Sequence, residues 1–463
     1  MKIEFSLCLL LGVFPLSAAE SGPVRAPNFV VIMTEAQGWA NTSVAMDDRN
    51  PESRSRIFKT PAVERLAHEG MRFAYGYAAS PRCTPSRAAL FTGKSPAALH
   101  MTFVGLGRDD AAPRTALIPP EPILELPANE LTVAELLKGV GYVTAHFGKW
   151  HVGRMSPARH GFDESDGPTS NGGPDNVANP NPKQARGMTE RGIAFMTKAA
   201  KAGQPFYLQL SHYPDQERKE AIGRNRNSDT GESDLIDETV MQVLSALDRL
   251  GLAGNTYVVY TADHGSQGRV GNVPLSGGKG AVTEGGLRVP FLIRGPGIAG
   301  NVCSRVPVTS CDILPTIATI AGVKAPLPSG VEGGSLVAVL RDPAGKGAVQ
   351  RARDELVFHF PHYDLGNGGP ATAIVLGGYK LVRNYEKSSR RLYELEADPA
   401  EAHDLAAKLP EKTAELDAHL TAYLKEVSAQ MAKPNPDYKS GEATDPSSPG
   451  DARKGGRRRK GNG

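Results

Sequence analysis

The sequence predicts an α/β protein, with a mostly parallel central sheet flanked by helices and a smaller C-terminal α+β subdomain. Three observations carry that prediction. Short apolar runs rich in β-branched or aromatic residues recur at "NFVVIMT" (Asn28 to Thr34), "GYVTAHFGK" (Gly141 to Lys149), "PFYLQLSHY" (Pro205 to Tyr213) and "TYVVYTADHG" (Thr256 to Gly265). Between the last two, Val240, Val243, Leu244, Leu247 and Leu250 fall on one helical face until "GLAGN" ends the pattern. Polar clusters lie at the ends of these runs, where ligands bind on parallel sheets covered by helices on both faces.

In chain order, the first expectation is a secretory leader over residues 1–19. Lys2 gives it a basic start, "FSLCLLLGVFPL" an apolar run too short to span a bilayer, and "SAAE" at Ser17 to Glu20 a small-residue cleavage site. An exported protein, periplasmic or secreted and without an integral membrane segment, follows from that reading. With 463 residues, 40% hydrophobic and 22% charged, the rest suits one large domain over 20–345 and a smaller one over 346–432. In the latter, "FHFPHY" (Phe358 to Tyr363) and "GGYKLVRNYE" through "RLYELE" read as a small antiparallel sheet, followed by a helix within Pro410 to Ala432. Residues 433–463 read as a disordered basic tail, because almost nothing apolar is present to order them. The net charge is +3, and eight Lys/Arg against four Asp/Glu from Lys433 onward give that tail +4. The remainder is about neutral, which gives no ground for a nucleic-acid partner.

Of the four cysteines, Cys8 lies in the leader. In an oxidising compartment Cys303 and Cys311 could close a short loop, leaving Cys83 unpaired. Cys83 stands in "SPRCTPSRAALFTG" (Ser80 to Gly93), where Pro85 fits the first turn of a helix that runs on to Gly93. A thiol near a helix N-terminus, with Arg82 and Arg87 close by, has its pKa lowered. Local chemistry alone leaves a buried structural cysteine as an equal alternative.

The motifs as a set resolve that choice. "CTPSR" at Cys83 to Arg87 resembles the C-x-P-S-R signature of the type I sulfatases, within the alkaline phosphatase superfamily, whose cysteine is oxidised after translation to formylglycine. The resemblance runs along nearly all of the chain after the leader. It continues through "PNFVVIMTEAQGW", "GKWHVG" (Gly148 to Gly153), "TADHG" (Thr261 to Gly265), "GGKGAVTEGGLRVP" (Gly277 to Pro290), "CDILPTIATIAG" (Cys311 to Gly322) and "RLYELEADPAE". It implies an alkaline-phosphatase-like fold and a hydrolase acting on an aryl or carbohydrate sulfate monoester. The partners implied are a sulfated small molecule or polysaccharide and a formylglycine-generating enzyme.

By the same resemblance, one hydroxyl of the hydrated formylglycine at position 83 attacks sulfur and the other later expels sulfate. Arg87 reaches back to those hydroxyls, Lys149 steadies nucleophile and sulfate, His151 handles a formylglycine proton, and Lys279 holds sulfate near the leaving-group oxygen. Glu284 and Arg288 read as structural. The implied cation, calcium in most relatives, is assigned to Glu35, Cys83, Asp263 and His264. Two positions depart from the family. Relatives carry two adjacent Asp after the first strand, where this chain has Glu35 and Ala36; and a sulfate-contacting His aligns with Gln216, near which only His212 is available. His359, His362 and Tyr363 read as packing groups. Two further readings therefore stand beside the sulfatase: a phosphate or phosphonate ester hydrolase on the same scaffold, and a catalytically impaired relative that binds sulfated glycans.

Overall fold

The computed structural model describes residues 25–56, 58–105, 115–170, 185–213, 231–267, 271–364 and 368–438, with the backbone alone over 231–234. The leader and Gln216 lie outside these residues. Each expected run forms a strand of one eight-stranded sheet: β1 (Asn28–Thr34), β2 (Gly70–Phe73), β3 (Val143–Gly148), β4 (Glu164–Ser165), β5 (Phe206–Ser211), β6 (Thr256–Ala262), β7 (Phe291–Arg294) and β8 (Val302–Ser304). The order across the sheet is β8-β2-β7-β6-β1-β5-β3-β4. Only β7 runs antiparallel to its neighbours, β2 and β6; the other pairings are parallel.

β1 is buried along its whole length and serves two cores. Phe29, Val31 and Met33 point to one face and Val30 and Ile32 to the other, as the two-residue period of a strand requires. Over the first face lie α2 (Cys83–Thr92) and α5 (Ile313–Ile320); over the second lie α1 (Pro61–Glu69), α3 (Ala185–Lys201) and α4 (Gly231–Arg249). The apolar face of α4 is the expected one, with Val240, Val243, Leu244 and Leu247 buried and Leu250 packed at the edge.

The C-terminal subdomain is a four-stranded antiparallel sheet of β9 (Leu356–Phe360), β10 (Ala371–Leu376), β11 (Tyr379–Asn384) and β12 (Ser389–Glu394), with α6 (Pro410–Glu426) on its outer face. Ile374, Leu381 and Leu392 pack there against Leu416, Leu420 and Tyr423. The inner face, with Phe358, Ala373 and Val382, meets Tyr77, Val282 and Leu287 of the large domain.

Two expectations are corrected. Cys303 and Cys311 are free thiols, because they look into different neighbourhoods: Cys303 Sγ contacts the Met46 carbonyl at 3.5 Å and Cys311 Sγ the Lys94 carbonyl at 3.6 Å. The expected tail begins too early. Lys433–Pro434 pairs antiparallel with Leu117–Ile118, and Asn435 is buried with its side chain donating to the Thr115 carbonyl, so ordered backbone continues to Tyr438. No helix among the described residues is long and apolar enough to cross a membrane.

The start of α1 is held from outside. Its N-cap, Thr60, makes no capping bond with its side chain, and the buried Asp237 carboxylate of α4 instead accepts from the Ala62 and Val63 amides at 2.9 and 3.0 Å. Charge-assisted bonds of this kind are worth roughly 1.5–3 kcal/mol. Asp237→Ala should therefore destabilise the protein by about 2–3 kcal/mol in chemical denaturation, and Asp237→Asn, which keeps one acceptor, by less.

Candidate active site

Four strand ends converge on one charged cluster. Glu35 follows β1, Lys149 and His151 follow β3, His212 follows β5, and Asp263 and His264 follow β6. The parallel pairing is extended by two further bonds, from His212 N to the Met33 carbonyl at 2.9 Å and from Asp263 N to the Thr34 carbonyl at 3.0 Å. These carry the register of the sheet directly into the site.

Cys83 is the first residue of α2, which ends at Gly93 in the left-handed region as the sequence predicts. Its Sγ lies 3.2 Å from Glu35 Oε1 and 3.2 Å from His264 Nε2. Burial and the Glu35 charge raise the thiol pKa, but Lys149 and His264 outweigh them and bring it down to about 6. The expected contribution from Arg82 is redirected, since Arg82 pairs with Asp364 of the C-terminal subdomain through two bonds.

Arg87, one turn further along α2, is fully buried and joins the two carboxylates. Its Nη2 lies 2.9 Å from Glu35 Oε2 and 3.0 Å from Asp263 Oδ2, and its Nη1 donates to the Lys149 carbonyl at 2.8 Å. Lys149, also buried, donates to Glu35 Oε2 at 2.7 Å. Burial works against ionising Glu35, yet Lys149, Asp263 hydrogen bonding and Arg87 hold its pKa well below the usual range. Asp263 moves the other way, raised to about 6 by burial and by the neighbouring Glu35 charge. Lys279 is the open cation of the set, 16% exposed at its side chain and 3.6 Å from Glu35 Oε1.

Backbone geometry places the remaining groups. Gly148 has φ +95°, and a Cβ there would come within 2.0 Å of the Ser211 carbonyl, so the turn into Lys149 admits only glycine. His151 and Ala36 are non-glycine residues with positive φ, 54° and 53°, a conformation that ordinarily costs energy and concentrates at functional sites. His151 Nδ1 is buried without a hydrogen-bond partner, and burial followed by the Lys149 and Arg87 charges lowers the ring's pKa to about 3. Trp150 anchors this segment, stacked on Phe91 at 4.8 Å, while Thr84 Oγ1 donates to the His151 carbonyl at 2.7 Å.

Glu35, Cys83, Asp263 and His264, the four residues assigned to the cation, lie together, with one donor atom of each within 4.8 Å of the others. His264 Nδ1 sits 2.9 Å from the Gly265 carbonyl, which turns Nε2 toward the cluster. At the position lacking a carboxylate, the Ala36 amide donates to Asp263 Oδ1 at 3.0 Å. His212 does not replace the missing histidine: its Nε2 pairs with Thr239 of α4 at 3.1 Å. Glu284 and Arg288 form a buried ion pair with Lys380. His359 and His362 are engaged by Thr372 and Thr102. The sequence reading missed Asp364, which sits in no recognisable motif and reaches Arg82 from 282 residues away.

A buried aspartate, glutamate and histidine beside a low-pKa thiol at a helix start, ringed by Arg87, Lys149 and Lys279, define a hydrolytic site for an anionic ester on a doubly covered parallel sheet. The comparisons carry this further. The sulfatase family model matches residues 27–323, and the C-terminal model of N-sulphoglucosamine sulphohydrolase matches 278–430. The chain is 30% identical over 414 residues to the N-acetylgalactosamine-6-sulfatase of Mus musculus, covering 80% of this chain and 75% of that one. It is 30% identical to the steryl-sulfatase of Rattus norvegicus, covering 74% of each. The fold is similar to that of a solved structure in complex with its substrate D-glucosamine-2-N,6-O-disulfate, with a TM-score of 0.63, 18% identity, and 87% of this chain and 98% of that one covered. The protein belongs to the sulfatase family of the alkaline phosphatase superfamily, a family of sulfuric ester hydrolases.

In the unmodified protein the Cys83 thiol should titrate with a midpoint near pH 6, thiolate above it and thiol below. Ultraviolet thiolate absorbance, taken as the difference from Cys83→Ser, measures this directly. Burial raises the pKa of both Cys303 and Cys311, so neither contributes to that midpoint.

Proposed function

We propose that this sulfatase is exported and hydrolyses a carbohydrate sulfate monoester through a formylglycine made from Cys83, with a divalent cation bound beside it. The observation that carries the reading is the position of Cys83 Sγ, 3.2 Å from both Glu35 and His264 at the first turn of α2. Relatives named for N-acetylgalactosamine-6-sulfate, and a structural neighbour holding a glucosamine disulfate, support the carbohydrate class. The leader-like "FSLCLLLGVFPL" supports export.

Formylglycine at position 83 would supply a hydrated aldehyde, giving one oxygen to attack sulfur and a second to release the bound sulfate. The chain's own residues do the rest. Lys279, the most exposed of the three cations, binds the sulfate oxygens as the ester enters, and Lys149 lies behind the attacking atom, where it offsets charge gathering in the transition state. Arg87 helps keep Glu35 ionised and fixes both Glu35 and Asp263 in place. His151, held neutral by burial, accepts a proton from a residue-83 hydroxyl at its unpartnered ring nitrogen.

The residues present fit a cation with few protein ligands. Glu35 Oε2 and Asp263 Oδ2 are occupied by Lys149 and Arg87, so each carboxylate offers one oxygen, joined by His264 Nε2 and the residue-83 oxygen. Calcium takes six to eight oxygens, whereas four donors including a nitrogen resemble sites for smaller, borderline cations such as zinc or manganese. Protein dialysed against equimolar calcium, manganese and zinc should retain manganese or zinc by elemental analysis, and Glu35→Gln should lose most of it.

The missing carboxylate at Ala36 favours a second reading, binding of sulfated glycans without turnover. The mass of the tryptic peptide starting at Cys83 separates the two. Co-expressed with a formylglycine-generating enzyme, it should be about 18 Da lighter than the cysteine form. Sulfate release from a chromogenic aryl sulfate should then fall at least about a thousandfold in Cys83→Ala. Cysteine alone, despite a competent maturation enzyme, would favour the binding protein.

A further inference from the structure

The segment Ser276–Glu284 carries Lys279, and local bonds already join its ends: the Ser276 carbonyl accepts from Gly285 N at 2.7 Å and from Thr283 Oγ1 at 2.9 Å, and the Gly277 carbonyl accepts from Asn272 Nδ2 at 3.2 Å. Lys279 N donates to the Ser266 carbonyl at 3.1 Å and Gly280 N to the Pro81 carbonyl at 3.0 Å, two residues before Cys83. Gly277, Gly278 and Gly280 lie within it, two of them with positive φ. A glycine-rich loop has many accessible conformations, so the placement of Lys279 is sharpened by any further constraint.

Such a constraint comes from the other domain. Glu401, buried on the segment that follows β12, accepts with a single carboxylate oxygen, Oε2, from both ends of the loop: from Ser276 Oγ, and from Glu284 N at 2.7 Å. Its second oxygen lies 3.0 Å from Lys380 Nζ of β11, which in turn donates to Glu284 Oε1 at 2.8 Å. Glu284 Oε2 is held by Arg288 Nε at 2.6 Å and by the Tyr77 hydroxyl at 3.0 Å. Lys380 and Glu284 are fully buried. Glu401 itself adopts φ +54°, a left-handed conformation that a non-glycine residue takes only where its surroundings enforce it. Four charged groups from two domains, Glu401, Lys380, Glu284 and Arg288, thus meet at the base of the loop, and Val282 and Leu287 seal it against the inner face of the small sheet.

We infer that Glu401 is a positioning residue for the reaction: its carboxylate straps the two ends of the Ser276–Glu284 loop together and so fixes Lys279 over the sulfate site. Lys380, 3.0 Å from the other oxygen, opposes the burial and the Glu284 charge that raise the Glu401 pKa. The C-terminal subdomain then takes part in catalysis without touching the reacting atoms, and sulfate affinity depends on a contact made across the domain boundary. The strap itself rests on the geometry above; its link to sulfate rests on the function proposed for Lys279.

Two measurements on the matured full chain test it, one independent of sulfate. Wild type, Glu401→Ala, Lys279→Ala and the double variant are compared by amide hydrogen exchange and by calorimetric titration with inorganic sulfate. Glu401→Ala, which removes the accepting oxygen that a Gln would retain, should speed exchange across residues 277–283 about tenfold while β1 and β6 keep wild-type protection. It should weaken sulfate binding about tenfold, as a displaced contact does, and the double variant should bind no more weakly than Lys279→Ala, because both changes remove the same contact. Unchanged exchange in that loop overturns the strap. Losses that add in the double variant overturn its link to Lys279. A wild-type protein that binds no sulfate overturns the proposed role of Lys279 and with it that link, while the exchange measurement still decides the strap. Should Glu401→Ala fail to fold, Glu401→Gln, which keeps one acceptor, and Ser276→Ala, which breaks one bond of the strap at a half-exposed position, should give the same pattern at smaller amplitude.

Discussion

The Arg87 guanidinium, with none of its surface exposed, is the group on which the site depends. Its position one turn into α2 lets a single planar cation face two carboxylates arriving from different strands, Glu35 from β1 and Asp263 from β6. A buried charge of either sign is tolerable only when paired, and removing one partner of such a set typically costs about 3–5 kcal/mol. The arrangement therefore holds α2, and with it Cys83, at the carboxyl ends of the central strands. The strap bonds from His212 to Met33 and from Asp263 to Thr34 transmit the same constraint along the backbone.

From that pairing the electrostatics of the site follow. Glu35 and Asp263 face Arg87, Lys149 and Lys279, so the cluster carries more positive than negative side chains even when both carboxylates are ionised. Burial strengthens each interaction by removing water. Of these three cations only Lys279 remains partly open, while Lys149 and Arg87 are fully buried. The low thiol pKa at Cys83 is a reading of the same field, since a site that stabilises a thiolate also stabilises negative charge forming on an ester oxygen.

Much of this was legible in the sequence for a definite reason. Strands β1, β3, β5 and β6 are continuous apolar runs because both faces of the sheet are covered, and the groups at their ends must be polar to line a cleft, so motif and strand end coincide in the text. Cys83 and Arg87 could be read together because one helical turn joins them. What was not legible depends on contacts between distant segments. Asp364 on Arg82, the Ala36 amide on Asp263, and Thr239 on His212 arise from tertiary packing, with no local spacing to announce them. The expected Cys303–Cys311 bridge failed for the converse reason: closeness in sequence says nothing about direction, and a strand residue and a helix-start residue face different neighbours.

The pairing of Arg82 with Asp364 also shapes what the mouth can recognise. Arg82 directly precedes Cys83, and a free guanidinium there would add a further unpaired positive charge beside the cluster. Asp364 satisfies it through two bonds, and Phe103 lies beneath it with the ring centroid 5.7 Å away, so its charge is spent and its plane is fixed. The same carboxylate stands where a side chain on Gly280 would come within 2.7 Å of Oδ2. The Arg82 charge is thereby balanced across the two domains, and a charge-balanced pair beside Cys83 presents shape and hydrogen bonding to its surroundings rather than net charge.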